Sequence, residues 1–122
     1  MKHKSILYKV YYMAPDGEFL AYLGRTKNNL TQRLRNHFVT HHKFQRKLEI
    51  GDYVRIEYAE FDTAADMFVA EIVLINQLKP PLNVDDKAQD EFTIPIDLSH
   101  IKWQEWDKPH LLEKWKNEVE GR

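Results

Sequence analysis

Glu71 lies where a carboxylate needs a partner. It is the only charged residue between Asp66 and Lys79, in a mostly apolar stretch. A carboxylate in such a stretch calls for a polar cleft, a cation or a metal, because burying it alone is costly. The alternative is an outward position on one narrow exposed stripe of a helix, and the sequence leaves the two equally weighted.

Arg33 and His37 form a second candidate pair. They stand four residues apart in a segment with helical spacing, so both side chains project from one helix face. A guanidinium is a planar fork suited to phosphate oxygens, and an imidazole exchanges protons near neutral pH. The alternative is a solvated face shared with Asn29 and Arg35.

Tyrosines are concentrated in the first hairpin. Because side chains alternate across a strand, Tyr8 and Tyr12 share one face while Lys9 and Tyr11 share the other. Only one of Tyr11 and Tyr12 can therefore point into a given site. A phenol has a pKa near ~10, too high for a base unless cations lower it. The alternative is that these tyrosines and Tyr22 are packing residues.

The elements that position these residues follow from the pattern. Segments 6–13 and 18–23 are rich in β-formers, and between them Pro15 and Gly17 suit a turn, which predicts a β-hairpin. A helix follows, with Asn29 as its cap and apolar residues spaced by four at Leu30, Leu34 and Phe38.

A third strand is predicted at Tyr53–Phe61, followed by a second helix that is capped at Asp62 or Thr63 and ends before Pro80. This order predicts an α+β fold with a small three-stranded antiparallel sheet flanked by helices, strand-strand-helix-strand-helix. Residues 1–83 form the predicted domain. Residues 84–122 form an acidic extension with an extended piece, "FTIPI", and an amphipathic helix, "KPHLLEKWKNEVE".

Charge is distributed unevenly along the 122 residues. The net charge is -1, but residues 1–47 carry ten Lys/Arg against two Asp/Glu, whereas residues 84–122 carry six against ten. A basic first half suits a phosphate-binding surface, although an ordinary solvated face is equally compatible with it. There is no cysteine, which excludes disulfides and thiolate metal sites. We expect no signal peptide and no membrane span, hence a cytoplasmic protein.

Five short motifs together resemble the GIY-YIG nuclease superfamily, over roughly residues 6–83. "KVY" (9–11) matches the first motif with lysine in place of its leading glycine, and "YLG" (22–24) matches the second. The eleven-residue step between the two motif tyrosines fits the usual spacing and selects Tyr11 over Tyr12. "GRTKNNLTQRLRNHF" resembles the family's helix. "EIVLINQLKPPLN" (71–83) resembles its metal-binding glutamate, apolar helix, proline loop and closing asparagine.

The resemblance implies an endonuclease that hydrolyses a DNA phosphodiester with one divalent ion, Mg²⁺ or Mn²⁺. Glu71 would hold the metal, and Arg33 would bind a phosphate oxygen. Tyr11 would take the proton of the attacking water, and His37 would accept or relay it. Tyr22 would orient water or phosphate. Asn83 would hold the site in place through hydrogen bonds.

Basic residues are expected to contact the DNA backbone: Lys9, Arg25, Lys27, Arg35, Lys43, Arg46 and Lys47. His41 and His42 lack the partners that a metal site would need. Trp103, Trp106 and Trp115 either stack on unpaired bases or, as we prefer, pack the tail onto the domain.

Two other functions stay open. One is a nucleic-acid-binding or regulatory module on the same fold without turnover, and the other is a protein-interaction domain dominated by its acidic tail. That tail could also lie across the basic face as a brake on DNA binding, although a packing extension is favoured. The expected partner is DNA, with a homodimer or a partner protein left open.

Overall fold

A four-stranded antiparallel sheet and three α-helices make up the part of the chain that the computed structural model describes, residues 5–27, 29–40, 53–83 and 93–121. The elements are β1 (Ser5–Ala14), β2 (Gly17–Thr26), α1 (Leu30–Arg35), a π-helical turn (Asn36–Thr40), β3 (Tyr53–Phe61), α2 (Ala64–Leu78), β4 (Gln104–Glu105) and α3 (His110–Glu120). The strand order is β2-β1-β3-β4. The predicted α+β class is therefore confirmed.

The prediction of three strands is wrong by one, because the C-terminal extension adds β4 to the free edge of β3. Gln104 pairs with Tyr58 and Glu105 with Glu57. The backbone N–H of Trp106 continues this pairing by donating to the carbonyl of Ile56 over 2.8 Å. Among the described residues 93–96 of the predicted extended piece there is no strand.

Local signals set the ends of the first two strands and of both helices in the predicted domain. Gly17, next to the turn at Pro15 and Asp16, has a φ of 132°, a conformation that favours glycine. The Asn29 side chain accepts from the N–H of Gln32 at the start of α1. Thr63 likewise accepts from the N–H of Asp66, which settles the choice between two predicted caps for α2.

The sheet has two apolar faces. On the first face, which we call the α1 face, Tyr8, Val10 and Ile56 pack with α1, the π-helical turn and α3. On the opposite α2 face, Leu7 and Leu23 pack with α2. The described part of the extension lies on both faces: Trp106 and Trp115 are buried on the α1 face, and Leu98, Ile101 and Trp103 pack against the α2 face.

Within the described ranges, no helix is long and apolar enough to cross a membrane. The cytoplasmic location stays a prediction.

Candidate active site

Three aromatic side chains meet on the α1 face, from three different elements. The Tyr8 hydroxyl lies 2.5 Å from Nε2 of His37. The Tyr22 ring meets the His37 ring edge-on, with 5.6 Å between centroids, and lies 6.2 Å from the Tyr8 ring. All three residues are buried. The cluster therefore joins β1, β2 and the π-helical turn through the Tyr8–His37 hydrogen bond and three ring contacts.

Gly24 makes room for this cluster. It stands directly opposite Tyr8 in the β1–β2 ladder. A methyl group at this position would lie 2.5 Å from Cζ and Oη of Tyr8 and 2.6 Å from Cε2 of Tyr22. These distances are far inside van der Waals contact, and both obstacles are aromatic rings in a packed core. The glycine is therefore required by the close approach of the two tyrosines.

The π-helical turn after α1 brings His37 inward. The sequence predicts one face for Arg33 and His37, but in the structure Arg33 is exposed while His37 is only 3% exposed. The wider turn starts at Asn36, directly before His37, and such turns are frequent at functional sites. His37 thus lies under the sheet and Arg33 lies at its rim.

The electrostatics of Tyr8 link it to Arg33 and Glu71. Its pKa lies above the usual value for tyrosine, chiefly because burial disfavours the phenolate. Tyr22 and the Glu71 carboxylate raise the pKa further, whereas the Arg33 guanidinium, which also hydrogen-bonds the phenol, lowers it. The phenol donates this hydrogen bond to His37 when Nε2 carries no proton, and it accepts the bond when Nε2 is protonated.

Tyr11, which the motif spacing selects, lies on the α2 face away from this cluster. The Arg55 guanidinium covers its ring at 4.1 Å from the centroid. Its pKa is raised by burial first and by a hydrogen bond to Glu57 second. Tyr11 pairs with Leu20 in the hairpin, and the ladder is irregular between Val10 and Tyr11. The structure therefore does not bring Tyr11 together with Arg33, His37 and Glu71, and Tyr8 occupies that place.

Glu71 lies on α2 with its side chain 10% exposed, and its Oε1 is 2.5 Å from Nη1 of Arg25 on β2. Glu71 is therefore buried with Arg25 as its partner cation. It does not lie on an outward stripe of the helix, the alternative that the sequence left open. The next contact along β2 is made by Asn83. Its side-chain oxygen accepts from the N–H of Leu23 over 2.9 Å, and its Nδ2 donates to the Leu23 carbonyl over 2.8 Å. These two bonds fix β2 between Tyr22 and Gly24.

A cleft of about 290 Å³ opens beside these residues, between the end of β2, α1 and the first turns of α2. Three predicted cations line it: Arg25, Lys27 and Arg33. Its wall includes Phe68, whose ring lies 4.7 Å from the Arg25 guanidinium. A positively charged cleft next to a buried carboxylate is suited to a phosphodiester.

The other predicted DNA contacts lie elsewhere. Lys9 is half-buried on the α2 face, where its Nζ lies 3.9 Å from the Trp103 ring and burial lowers its pKa. Arg35 pairs with Glu118 of α3 over 2.5 Å. These two cations hold the C-terminal extension rather than line the cleft. The last three predicted contacts lie outside the described residues: Lys43, Arg46 and Lys47.

The donor set suits one kind of metal. In the described ranges, no three His, Cys, Asp or Glu residues group into a metal site, and Glu71 is the one buried carboxylate. Zn²⁺ needs three or four protein ligands and does not fit. Mg²⁺ keeps most of its water and takes one or two carboxylates plus substrate phosphate oxygens. A single buried carboxylate beside a phosphate-sized cationic cleft fits that requirement.

Sequence reasoning missed Tyr8 as a site residue, although a signal was present. Tyr8 and Tyr11 were placed on opposite faces of β1, and Gly24 marked the point on β2 where a large side chain approaches. In the structure the hairpin turns at Pro15 and Asp16, and its strands are longer than predicted. The pairing of the two strands from that turn, with the irregularity in their ladder, places Tyr8 opposite Gly24.

The family comparison agrees with this geometry. A family model described as the GIY-YIG catalytic domain matches residues 5–83, more than half of the chain. No curated protein and no solved structure matches this chain. The matched range contains Tyr8, Tyr22, His37, Glu71 and the loop that ends at Asn83. The chain therefore belongs to the GIY-YIG family, whose members are endonucleases that act on DNA.

Proposed function

We propose that this chain is a DNA endonuclease that hydrolyses a phosphodiester bond where Tyr8, His37, Arg33 and Glu71 meet. One observation carries the proposal: the Tyr8 phenol hydrogen-bonds His37 beside a cleft lined by Arg33 and by Arg25, the ion-pair partner of Glu71. A proton acceptor, a phosphate-binding cation and a metal-binding carboxylate thus belong to one region of the fold. These are the groups that hydrolysis of a phosphodiester requires.

Proton removal from the attacking water runs through two side chains. The raised pKa of Tyr8 disfavours a standing phenolate, so the phenol acts as a relay. As the water oxygen bonds to phosphorus, its proton passes to Oη of Tyr8 and the phenol proton passes to Nε2 of His37. The bond between phosphorus and the 3′ oxygen breaks, and that oxygen takes a proton from solvent. His37 is thereby the final proton acceptor.

The remaining residues bind and orient. Glu71 would hold Mg²⁺ or Mn²⁺, and the ion would supply positive charge that neutralises the phosphate and the leaving oxygen. The exposed Arg33 guanidinium binds a non-bridging oxygen, where charge builds up in the transition state. Tyr22 orients the water or the phosphate. Asn83 is a positioning residue, since it contacts only the backbone of β2 in the hydrogen bonds described above.

Nicking of supercoiled plasmid in Mg²⁺ tests the proposal. Glu71→Gln keeps the size of the side chain but removes its charge, and we expect nicking to fall about 100-fold or more. DNA binding, measured by fluorescence anisotropy, should persist because the cationic cleft is intact. The control is Glu113→Gln, at an exposed position of α3. Nicking at the wild-type rate by Glu71→Gln would refute the metal-binding role.

A second candidate, a DNA-binding module without turnover, is favoured by the ion pair between Arg25 and Glu71, because a paired carboxylate is less available to a metal. This candidate predicts salt-dependent DNA binding with no nicking in either Mg²⁺ or Mn²⁺. Since one site of this kind cuts one strand, a homodimer or partner protein would be needed for a double-strand break. Analytical ultracentrifugation of the chain with and without DNA tests that requirement.

A further inference from the structure

Arg25 lies between a buried carboxylate and a cationic cleft. Its Nη1 contacts Oε1 of Glu71, and its side chain also lines the cleft that Lys27 and Arg33 line. The two members of the ion pair differ in freedom, since the Arg25 side chain is 52% exposed and that of Glu71 only 10%. Glu71 is fixed on α2, whereas the guanidinium can turn toward solvent. The mobile member of the pair is therefore Arg25.

A phosphate in the cleft competes for this guanidinium. Arginine binds phosphate through two parallel N–H bonds, and the half-exposed Arg25 side chain leaves its guanidinium accessible to a phosphate in the cleft. The Arg25 guanidinium already lies over the Phe68 ring at 4.7 Å, on the wall of the cleft. A short rotation of the side chain thus moves its charge from the carboxylate to the cleft while the ring contact is kept.

A divalent cation competes for the other partner. Mg²⁺ and the Arg25 guanidinium would both bind the carboxylate of Glu71, and they repel each other. While Arg25 is bound to Glu71, it opposes metal binding; once Arg25 is bound to phosphate, that opposition is relieved. By linkage, any factor by which DNA tightens metal binding is also the factor by which metal tightens DNA binding.

Resting on the proposed function, we propose that Arg25 exchanges Glu71 for a DNA phosphate, so that DNA binding strengthens divalent-metal binding at Glu71. Arg25 is then a positioning residue, acting on the reaction through the charge state of the metal-binding carboxylate. Free protein would hold its metal weakly, and the complete site would form on DNA. Unlike a simple phosphate contact, this exchange gives Arg25 an effect on metal binding in the absence of DNA.

Mn²⁺ binding to the DNA-free, full-length chain, measured by electron paramagnetic resonance of the unbound ion, tests this effect. We expect Arg25→Gln to tighten Glu71-dependent Mn²⁺ binding at least fivefold, which corresponds to about 1 kcal/mol. Arg25→Lys should lie between wild type and Arg25→Gln. Lys27→Gln is the matched control, because it removes the same charge from the same cleft without a described contact to Glu71. We expect Lys27→Gln to change the affinity for Mn²⁺ less than twofold.

A second measurement adds a short DNA duplex in a Tyr8→Phe background, in which cleavage is expected to be at least 100-fold slower. The Mn²⁺ bound by the Glu71→Gln variant is subtracted first, so that only binding at Glu71 is compared. DNA should then tighten Mn²⁺ binding by a larger factor in the protein with Arg25 than in Arg25→Gln. Equal factors, or DNA-free binding by Arg25→Gln that is no tighter than wild type, would overturn the exchange and leave the nuclease proposal intact. Mn²⁺ binding that does not depend on Glu71 in any variant would overturn both.

Discussion

Two tyrosines on one strand allow a sharp test of which face of the sheet is catalytic. Tyr8→Phe removes the hydroxyl that lies 2.5 Å from Nε2 of His37 and keeps the ring that packs against Tyr22. Tyr11→Phe is the matched control, because it is the same chemical change three residues along β1, under Arg55 on the opposite face. The sequence motif favours Tyr11 as the catalytic phenol and the structure favours Tyr8.

The expected effects follow from these contacts. A positioned proton-transfer group contributes roughly 100- to 10,000-fold to a rate, so Tyr8→Phe should slow plasmid nicking by at least 100-fold. It also removes one buried hydrogen bond, which should lower the free energy of unfolding by about 1 kcal/mol. Tyr11→Phe should change the nicking rate less than about threefold, since its hydroxyl is bonded to Glu57 away from the cluster.

The assay is single-turnover nicking of supercoiled plasmid in Mg²⁺, with urea unfolding of each variant to show that it is folded. DNA affinity should be similar for wild type and both variants, because neither hydroxyl belongs to the cationic cleft. Loss of nicking in Tyr11→Phe together with wild-type nicking in Tyr8→Phe would refute the relay through Tyr8 and His37. Equal loss in both would show that the effect is not specific to one face.

Two further expectations concern stability. Gly24→Ala places a methyl group 2.5 Å from the Tyr8 ring and should lower the free energy of unfolding by about 1–3 kcal/mol in urea titrations; an unchanged value would mean that the two rings can separate freely. Because the pKa of Tyr8 is raised, the unfolded chain loses this phenolic proton first above pH ~10 and binds fewer protons than the folded chain. The contribution of the Tyr8 phenol to the free energy of unfolding is therefore complete below that pH and falls as the pH rises, by at most about 1.4 kcal/mol per pH unit. Tyr8→Phe should therefore make the free energy of unfolding, measured in urea between pH 9 and 11, depend less steeply on pH.

Local patterns were sufficient for the elements of the predicted domain. The spacing of Leu30 and Leu34, the cap at Thr63 and the proline after Lys79 act within a few residues, so the sequence predicts their effects directly. β3 likewise has the predicted bounds, because a run of β-formers ends there at a cap signal. The order of motifs within residues 5–83 was sufficient for the family.

The extension shows where such patterns stop being sufficient. β4 is two residues long and forms only because the edge of β3 accepts it, with Trp106 buried on the α1 face beside it. A strand of two exposed residues has no apolar alternation of its own. Its position is set by long-range packing, which no local pattern in the extension indicates.

The sequence by itself determined that Tyr8 and Tyr11 point in opposite directions, because side chains alternate along a strand whatever surrounds it. Only the tertiary structure decided which direction leads to the site. That choice depends on which helix covers each face and on the hairpin register, which places Tyr8 opposite Gly24 and His37 beneath both. Likewise, the sequence left two positions open for Glu71, a polar cleft with a partner or an outward stripe of the helix. The packing of α2 against β2 decided for the first, because it places Glu71 beside Arg25, 46 residues away along the chain.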